Sequence, residues 1–281
     1  MSVLVEANGL AVRTAAGEDI VSRVDLQIAH GEIVGVIGES GSGKSMTLKA
    51  IAGILPTGVV ARGSIVYEGA ELTHLGRSEY RRFRDRELGI VYQDPRAHVN
   101  PVHTVGDFLT EALRINRRLG RREAWARAVE LAEEVGIADA RAQLRAYPYQ
   151  YSGGMLQRAV IAAALATEPR LILADEPTTA LDVTRQAEVA ALLRSQVRER
   201  QIGMMFITHD LELAAALCDR VYVMYRGRIV DAFVADRLAD SEHPYTRALL
   251  RARPKLESGR RRLETIDDAL RARIDEEVAR A

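Results

Sequence analysis

The chain has 281 residues, of which 47% are hydrophobic and 28% charged, enough to bury the core of one large domain or of two lobes. Lysine plus arginine and aspartate plus glutamate both number 39, so no net positive field draws the protein to nucleic acid or anionic lipid; such a partner would have to be met by a local surface. The start, Met1 to Glu6, lacks the basic and apolar regions of a signal peptide, and the longest small-apolar run, Ala159 to Ala166, falls far short of the ~20 residues that cross a bilayer, so a cytosolic chain is expected, with any spanning left to another subunit.

Residues 3 to 37 read mainly as β: Val12, Ile20 to Ile28 and Ile33 to Ile37 are rich in β-branched side chains, punctuated by turns at Gly17-Glu18-Asp19 and His30-Gly31. Directly after Ile33 to Ile37 comes Gly38-Glu39-Ser40-Gly41-Ser42-Gly43-Lys44-Ser45, which fits G-x-x-x-x-G-K-[ST]. Its glycines let backbone N-H groups point inward, and the helix opening near Gly43 adds a positive dipole end to the same anion site. A nucleotide triphosphate is expected here, with Lys44 reaching the β- and γ-phosphates and the Ser45 hydroxyl as one ligand of Mg²⁺. The helix from Lys44 to Ile54, apolar at Met46, Leu48, Ile51 and Ile54, is expected to stop at Pro56.

Gly63 to Glu68 and Leu88 to Tyr92 read as further strands, and the charged run Glu79 to Arg86 between them as a solvated helix face. From Pro101 to Tyr147 the pattern turns helical: Val105, Phe108, Leu109, Ala112 and Leu113 form one stripe, and Trp125, Ala128, Val129, Ala132 and Val135 a second that Gly136 ends. This predicts a helical lobe, about residues 96–165, inserted into an α/β core. Tyr147-Pro148-Tyr149 marks the return, its tyrosines expected to pack at the lobe boundary. Ser152-Gly153-Gly154-Met155 leads into a helix to Ala166. Leu171 to Ala174 and Met204 to Ile207 are continuous apolar runs, the pattern of parallel strands buried on both faces, separated by a helix from Thr184 to Arg198. Val221 to Met224 and Arg228 to Val230 read as a hairpin. The single Cys218 can form no internal disulfide and is expected to be packing.

The two apolar strands end in chemistry. Asp175, closing the first, would hold Mg²⁺ through water, and Glu176 would polarise the water that attacks the γ-phosphate. Acidic pairs also end strands as ordinary caps, so this pair takes its meaning from the loop. His209 closes the second strand, within reach of a γ-phosphate, although a lone histidine is usually structural. Gln93, after Leu88 to Tyr92, would complete the Mg²⁺ shell.

With these residues in order, from Leu4 to about Pro254, the chain resembles the nucleotide-binding subunit of an ATP-binding cassette (ABC) transporter. Gly38 to Ser45 is similar to the Walker A motif, Gln93 to the Q-loop, Ser152 to Gln157 to the signature segment, Leu171 to Glu176 to Walker B, Ala180-Leu181-Asp182 to the D-loop and His209 to the switch histidine. Gln93-Asp94-Pro95, Asn100-Pro101, Tyr147-Pro148, the Ser-Gly-Gly-Met form of the signature, Asp175 to Val183 and His243-Pro244-Tyr245-Thr246 resemble the peptide/nickel importer branch.

The resemblance implies an α/β fold: a P-loop NTPase domain of the ABC type over residues 1–250, with an N-terminal antiparallel β-subdomain and an inserted helical lobe, then a helical tail over 251–281. It implies ATP and Mg²⁺, with Gly38 to Ser45, Met46, Gln93, Ser152, Gly153 and Gly154 at the nucleotide, Ser45, Gln93 and Asp175 at the metal, and Lys44, Glu176 and His209 in catalysis. Two subunits would pair head to tail, each ATP lying between the Walker motifs of one and the signature loop of the other. The partners implied are a paralogous ATPase, favoured over a homodimer, two membrane permeases and, indirectly, an extracytoplasmic solute-binding protein, all at the cytoplasmic face of the membrane and without nucleic acid. The transported solute would be a peptide or a nickel chelate.

Three features depart from the family pattern. No Phe, Tyr or Trp precedes Tyr67, so the aromatic that usually stacks on adenine is missing and the region of Thr14 takes its place. Met155 replaces the usual signature Gln. The tail has no cysteine cluster; instead Leu263, Ile266, Leu270, Ile274 and Val278 form a narrow stripe behind Arg260-Arg261-Arg262, expected to dock on its own domain. The competing function is a soluble ABC-type ATPase acting on DNA or ribosomes, disfavoured by the balanced charge and the lack of a long coiled-coil insertion. A GTPase switch is excluded because no Asn here is followed by Lys.

Overall fold

The computed structural model of the chain describes residues 2–179, 181–251, 274 and 275. Strands β1 (Val3–Thr14) and β2 (Asp19–Ala29) form an antiparallel hairpin, closed by the Arg13–Asp19 ion pair at 2.6 Å. Strand β3 (Ile33–Ile37) is buried throughout and leads into α1 (Lys44–Ala52). Strands β4 (Val59–Tyr67) and β5 (Ala70–Glu71) extend the antiparallel part, and α2 (Arg77–Glu87) returns the chain to β6 (Leu88–Val91). A helical region follows: α3 (Pro95–His98), α4 (Val105–Asn116), α5 (Arg121–Glu134), α6 (Ala140–Gln143), a 3-10 turn at Pro148–Gln150 and α7 (Gly153–Ala166). The rest alternates: β7 (Leu171–Asp175), α8 (Val183–Arg200), β8 (Gly203–Thr208), α9 (Leu211–Leu217), β9 (Arg220–Tyr225), β10 (Arg228–Val234), a 3-10 segment Ala235–Asp240 and α10 (Pro244–Arg251).

The strands lie in the order β5-β4-β1-β2-β10-β9-β3-β8-β7-β6. Strands β9, β3, β8, β7 and β6 are mutually parallel, β10 turns antiparallel against β9, and a single parallel bridge, Arg228 to Arg23, joins this part to the antiparallel hairpin. Successive side chains of a strand point to opposite faces, and the core divides accordingly. Ile33, Ile37, Ile172, Ala174, Met204 and Phe206 face the helical side with Leu109, Leu113, Leu131, Leu156 and Leu193. Val34, Val36, Leu171, Leu173, Met205 and Ile207 face α1 and the antiparallel strands, with Leu10, Val24, Ile28 and Ile51. Of the two stripes read from 105 to 135, Val105, Leu109, Leu113, Ala128, Val129, Ala132 and Val135 are buried in the first of these layers and Phe108, Ala112 and Trp125 pack against it, so the helical lobe shares its core with the sheet.

Local chemistry sets the helix ends. Thr104 caps α4 by a reciprocal box: its hydroxyl accepts from Asp107 N at 3.1 Å and its own N-H donates to the Asp107 carboxylate at 3.1 Å. Helix α1 ends at Ala52, not Ile54, because Gly53 adopts the left-handed conformation (φ 64°) and its N-H turns back to the Ala50 and Lys49 carbonyls, ahead of Pro56. The tyrosines at the lobe boundary are not packed as expected: Tyr147 and Tyr149 stack on each other, 5.6 Å between centroids, with Tyr149 72% exposed. On α2 the charges lie on the solvated face, as expected, while Phe83 is buried. Cys218 is buried, its thiol pushed up by desolvation, and its Sγ stands 2.9 Å from where a Cβ on Gly35 would be, so it fills space over β3. Among the described residues, no helix is long and apolar enough to cross a membrane.

Of the tail, Ile274 is fully buried in the helical-side core, and Asp275 accepts from the Tyr225 hydroxyl at 3.0 Å and from Arg226 at 2.7 Å. Ile274 is the one residue of the expected stripe among the described residues; Leu263, Ile266, Leu270, Val278 and Arg260 to Arg262 lie outside them, as does Ala180.

Candidate nucleotide site

The parallel strands end together at one edge of the sheet, where open α/β folds carry their ligands. Register places them: Ile37 pairs with Thr208, Ile207 with Asp175, and Ala174 with Val91, so the segments following β3, β8, β7 and β6 emerge side by side. Those segments carry Gly38 to Ser45, His209, Glu176 and Gln93.

The loop Gly38 to Gly43 is pressed against β9. A Cβ on Gly38 would lie 2.1 Å from the Met224 carbonyl oxygen, and one on Gly43, at φ 105°, 2.8 Å from Met224 Cε, so neither position has room for a side chain. Behind the loop, the Gly227 N-H donates to the Ser42 carbonyl at 2.8 Å and the Glu39 N-H to the Tyr245 hydroxyl at 3.3 Å. Lys44 is buried, and its Nζ donates to the carbonyls of Gly38 (2.9 Å) and Glu39 (2.8 Å) and to Ser42 Oγ (3.4 Å). Desolvation draws the Lys44 pKa down, while the charges of Glu176, Asp175 and Glu39 pull it back. Ser40 and Gly41 are exposed at the tip. Met46, in the first turn of α1, sends its side chain to the apolar layer beneath, leaving its main chain toward the loop.

Ser45 Oγ donates to Asp175 Oδ1 at 2.8 Å. Burial raises the Asp175 pKa; the Ser45 hydrogen bond opposes that shift and the neighbouring Glu176 charge adds to it. Glu176 sits at φ 45°, its N-H held by the Ile207 carbonyl at 3.0 Å. This turn aims its carboxylate at two donors on Oε2, Thr179 Oγ1 at 2.8 Å and Gln93 Nε2 at 3.2 Å, with His209 Nδ1 standing 3.3 Å from the same oxygen; among the described residues no donor meets Oε1. Thus Gln93, expected at the metal, donates to Glu176. Thr179 was missed as a partner of Glu176; its signal was a hydroxyl three residues on, in a turn whose Thr179 N-H donates to the Glu176 carbonyl at 3.3 Å.

The signature residues stand apart from this cluster. Ser152 caps α7, accepting from Met155 N at 3.3 Å, and Ser152 and Gly154 line a recess of about 160 Å³ with Arg158, Arg185 and Glu188, none of them from the loop. They form a second helix N-terminus, distinct from that of α1. At the β1–β2 turn Thr14 is half-buried and Ala15 and Ala16 are exposed, so the region expected to meet adenine offers methyl and hydroxyl groups.

The residues fit a Mg²⁺-bound triphosphate. Ser45 and Asp175 present hard oxygen atoms beside a loop of amides at a helix N-terminus, and Mg²⁺ keeps several waters and phosphate oxygens while taking few protein ligands. Among the described residues no group of three or more His, Cys, Asp and Glu is placed to hold a metal ion.

Fold and site together define a P-loop ATPase of the cassette type. The sequence model of the ABC transporter family matches residues 21–179, and the chain belongs to that family. It is 44% identical over 251 residues to a probable peptide ABC transporter ATP-binding protein of Sinorhizobium fredii, spanning 87% of this chain and 75% of that one. It is 42% identical over 261 residues to the oligopeptide transport ATP-binding protein OppD of Bacillus subtilis, covering 91% and 73%. Among solved structures, a dimeric ATP-binding cassette in a post-hydrolysis state with ADP and Pi superposes at a TM-score of 0.74 with 28% identity, covering 83% of this chain and 99% of the other. A component of an ABC transporter complex from Clostridium perfringens gives 0.75 at 25%, covering 89% and 96%. The chain is an ABC-type ATPase with the fold of the nucleotide-binding domain.

Proposed function

We propose that the chain is the ATP-hydrolysing subunit of a peptide importer, working at the cytoplasmic face of a membrane as a peripheral subunit bound to two permeases. The observation that carries the catalytic part is the convergence of Thr179, Gln93 and His209 on one oxygen of Glu176, beside Ser45 and Asp175. Gly38 to Ser45 and the main chain of Met46 cradle the triphosphate, and Lys44 supplies the cation buried within the loop. Ser45 and Asp175 would hold Mg²⁺, with Gln93 at the edge of its shell; the ion would neutralise phosphate charge. Glu176, its Oε2 held by the Thr179 hydroxyl and the Gln93 amide, keeps Oε1 to accept the proton of the attacking water, and His209 holds the water in line.

The site is half of a whole. Ser152, Gly153 and Gly154 offer amides at the N-terminus of α7, apart from the loop of their own chain, and would meet the nucleotide of a second subunit packed head to tail. A paralogue is the preferred second subunit, with an extracytoplasmic solute-binding protein delivering the cargo to the permeases. The relatives' names favour peptides over a nickel chelate as that cargo. Uptake of labelled di- to hexapeptides by cells carrying the wild-type chain or Glu176→Gln tests the proposal: uptake that persists with Glu176→Gln as the sole copy contradicts it.

A further inference from the structure

The hydrogen bond from Glu39 N-H to the Tyr245 hydroxyl joins residues 206 apart and takes no part in the chemistry above. Tyr245 has no exposed surface and is among the largest fully buried side chains. Its helix, α10, is pinned to β10 by Asp231, whose Oδ2 accepts from Thr246 Oγ1 at 2.7 Å and from Ser241 Oγ at 2.5 Å. The Tyr245 ring packs on Tyr225 at the end of β9, centroids 4.6 Å apart, and the Tyr225 hydroxyl reaches Asp275. Strand β9 is also the strand that crowds Gly38, and Gly227 in the turn that follows it donates to the Ser42 carbonyl.

Glu39 is therefore fixed at both polar ends of its backbone: its N-H points away to Tyr245, and its carbonyl accepts Lys44 Nζ at 2.8 Å. A loop that binds anions through oriented amides loses affinity if it must first be ordered, because the ordering cost is then drawn from the binding free energy. We infer that Tyr245 is a positioning residue for the nucleotide, its hydroxyl holding Glu39 so that the phosphate loop is preformed and ATP affinity depends on the C-terminal segment. The inference rests on the reading of Gly38 to Ser45 as the triphosphate site.

The test uses the full chain with Mg-ATP. Tyr245→Phe keeps the ring and its burial, and is expected to raise KM and Kd for ATP about two- to tenfold, the worth of one net hydrogen bond, with kcat at saturation unchanged. Tyr225→Phe, which removes a hydroxyl from the same aromatic pair without touching Glu39, is expected to leave KM unchanged; an equal shift in both variants means general packing and overturns the inference. An unchanged KM in Tyr245→Phe alongside lost binding in Lys44→Ala overturns the inference and leaves the site standing. Full binding by Lys44→Ala removes the site reading, and the inference with it. Should Tyr245→Phe fail to fold, amide hydrogen exchange on the nucleotide-free wild type decides: a protected Glu39 amide supports the inference, and exchange at the rate of an open amide overturns it.

Discussion

The Ser45 hydroxyl donates to Asp175 Oδ1 across 2.8 Å, joining the opening of α1 to the close of β7, 130 residues later. Strand β8 lies between β3 and β7, so the pair meets only because the three strands end in register at one edge. The carboxylate gains one hydrogen bond and loses much of its hydration, and burial wins: its pKa is raised.

A raised folded pKa on an acid means that the stability this group contributes is present below its unfolded value, near 4, and is lost as pH rises through the folded value. At pH 7 the Asp175 charge is a cost to the nucleotide-free fold. Asp175→Asn is expected to raise the thermal midpoint at pH 7, with the gain shrinking as pH falls toward 4, and to diminish the Mg²⁺-dependent part of ATP binding. Calorimetry across that range checks the sign; a midpoint that drops equally at every pH contradicts it.

Glu176→Gln keeps the size of the side chain and its turn but removes the proton acceptor. Hydrolysis is expected to slow by on the order of 10²- to 10⁴-fold with ATP binding retained. Steady-state turnover and equilibrium binding separate the two; unchanged turnover takes Glu176 out of the role of base.

Lys44→Ala removes the buried ammonium and its bonds to the Gly38 and Glu39 carbonyls. ATP affinity is expected to fall at least tenfold, in line with the ~1.5–3 kcal/mol of a hydrogen bond to a charged group. Titration calorimetry measures it directly, and retained affinity would place the phosphates elsewhere.

Gly38→Ala sets a Cβ 2.1 Å from the Met224 carbonyl and 2.9 Å from Ser42 Oγ, so loop or strand must shift. A loss of about 1–3 kcal/mol is expected, as for other overpacked positions, together with weaker ATP binding. An unchanged urea midpoint would mean that the loop does not pack on β9.

Much of this was legible in the sequence because its signals are local. Strands buried on both faces read as unbroken apolar runs, and Ile33–Ile37, Leu171–Asp175 and Gly203–Thr208 are such strands. Glycine spacing before Lys44 located the loop, and Asp175 and Glu176 stood at the end of a strand. What stayed hidden depends on contacts between distant segments or on exposure. Nothing near Tyr245 announces a partner at Glu39, and the stacked, exposed Tyr147 and Tyr149 have the composition of a packed boundary. Sequence order gives no direction to a side chain, so the hydrogen bond from the Gln93 amide to Glu176 could not be read from it. Helix α9 is absent from the sequence reading, since at seven residues it spans too few turns for its period to stand out.

The central claim is that this ATPase acts through a second cassette and a membrane permease. The most direct measurement is a pull-down of tagged Glu176→Gln chain, held with ATP and Mg²⁺ in mild detergent, from the membranes of its own cells, with every co-purifying polypeptide identified. The account predicts permease subunits and a second cassette subunit, and their loss when Lys44→Ala is added. Recovery of only ribosomal or DNA-associated proteins contradicts it.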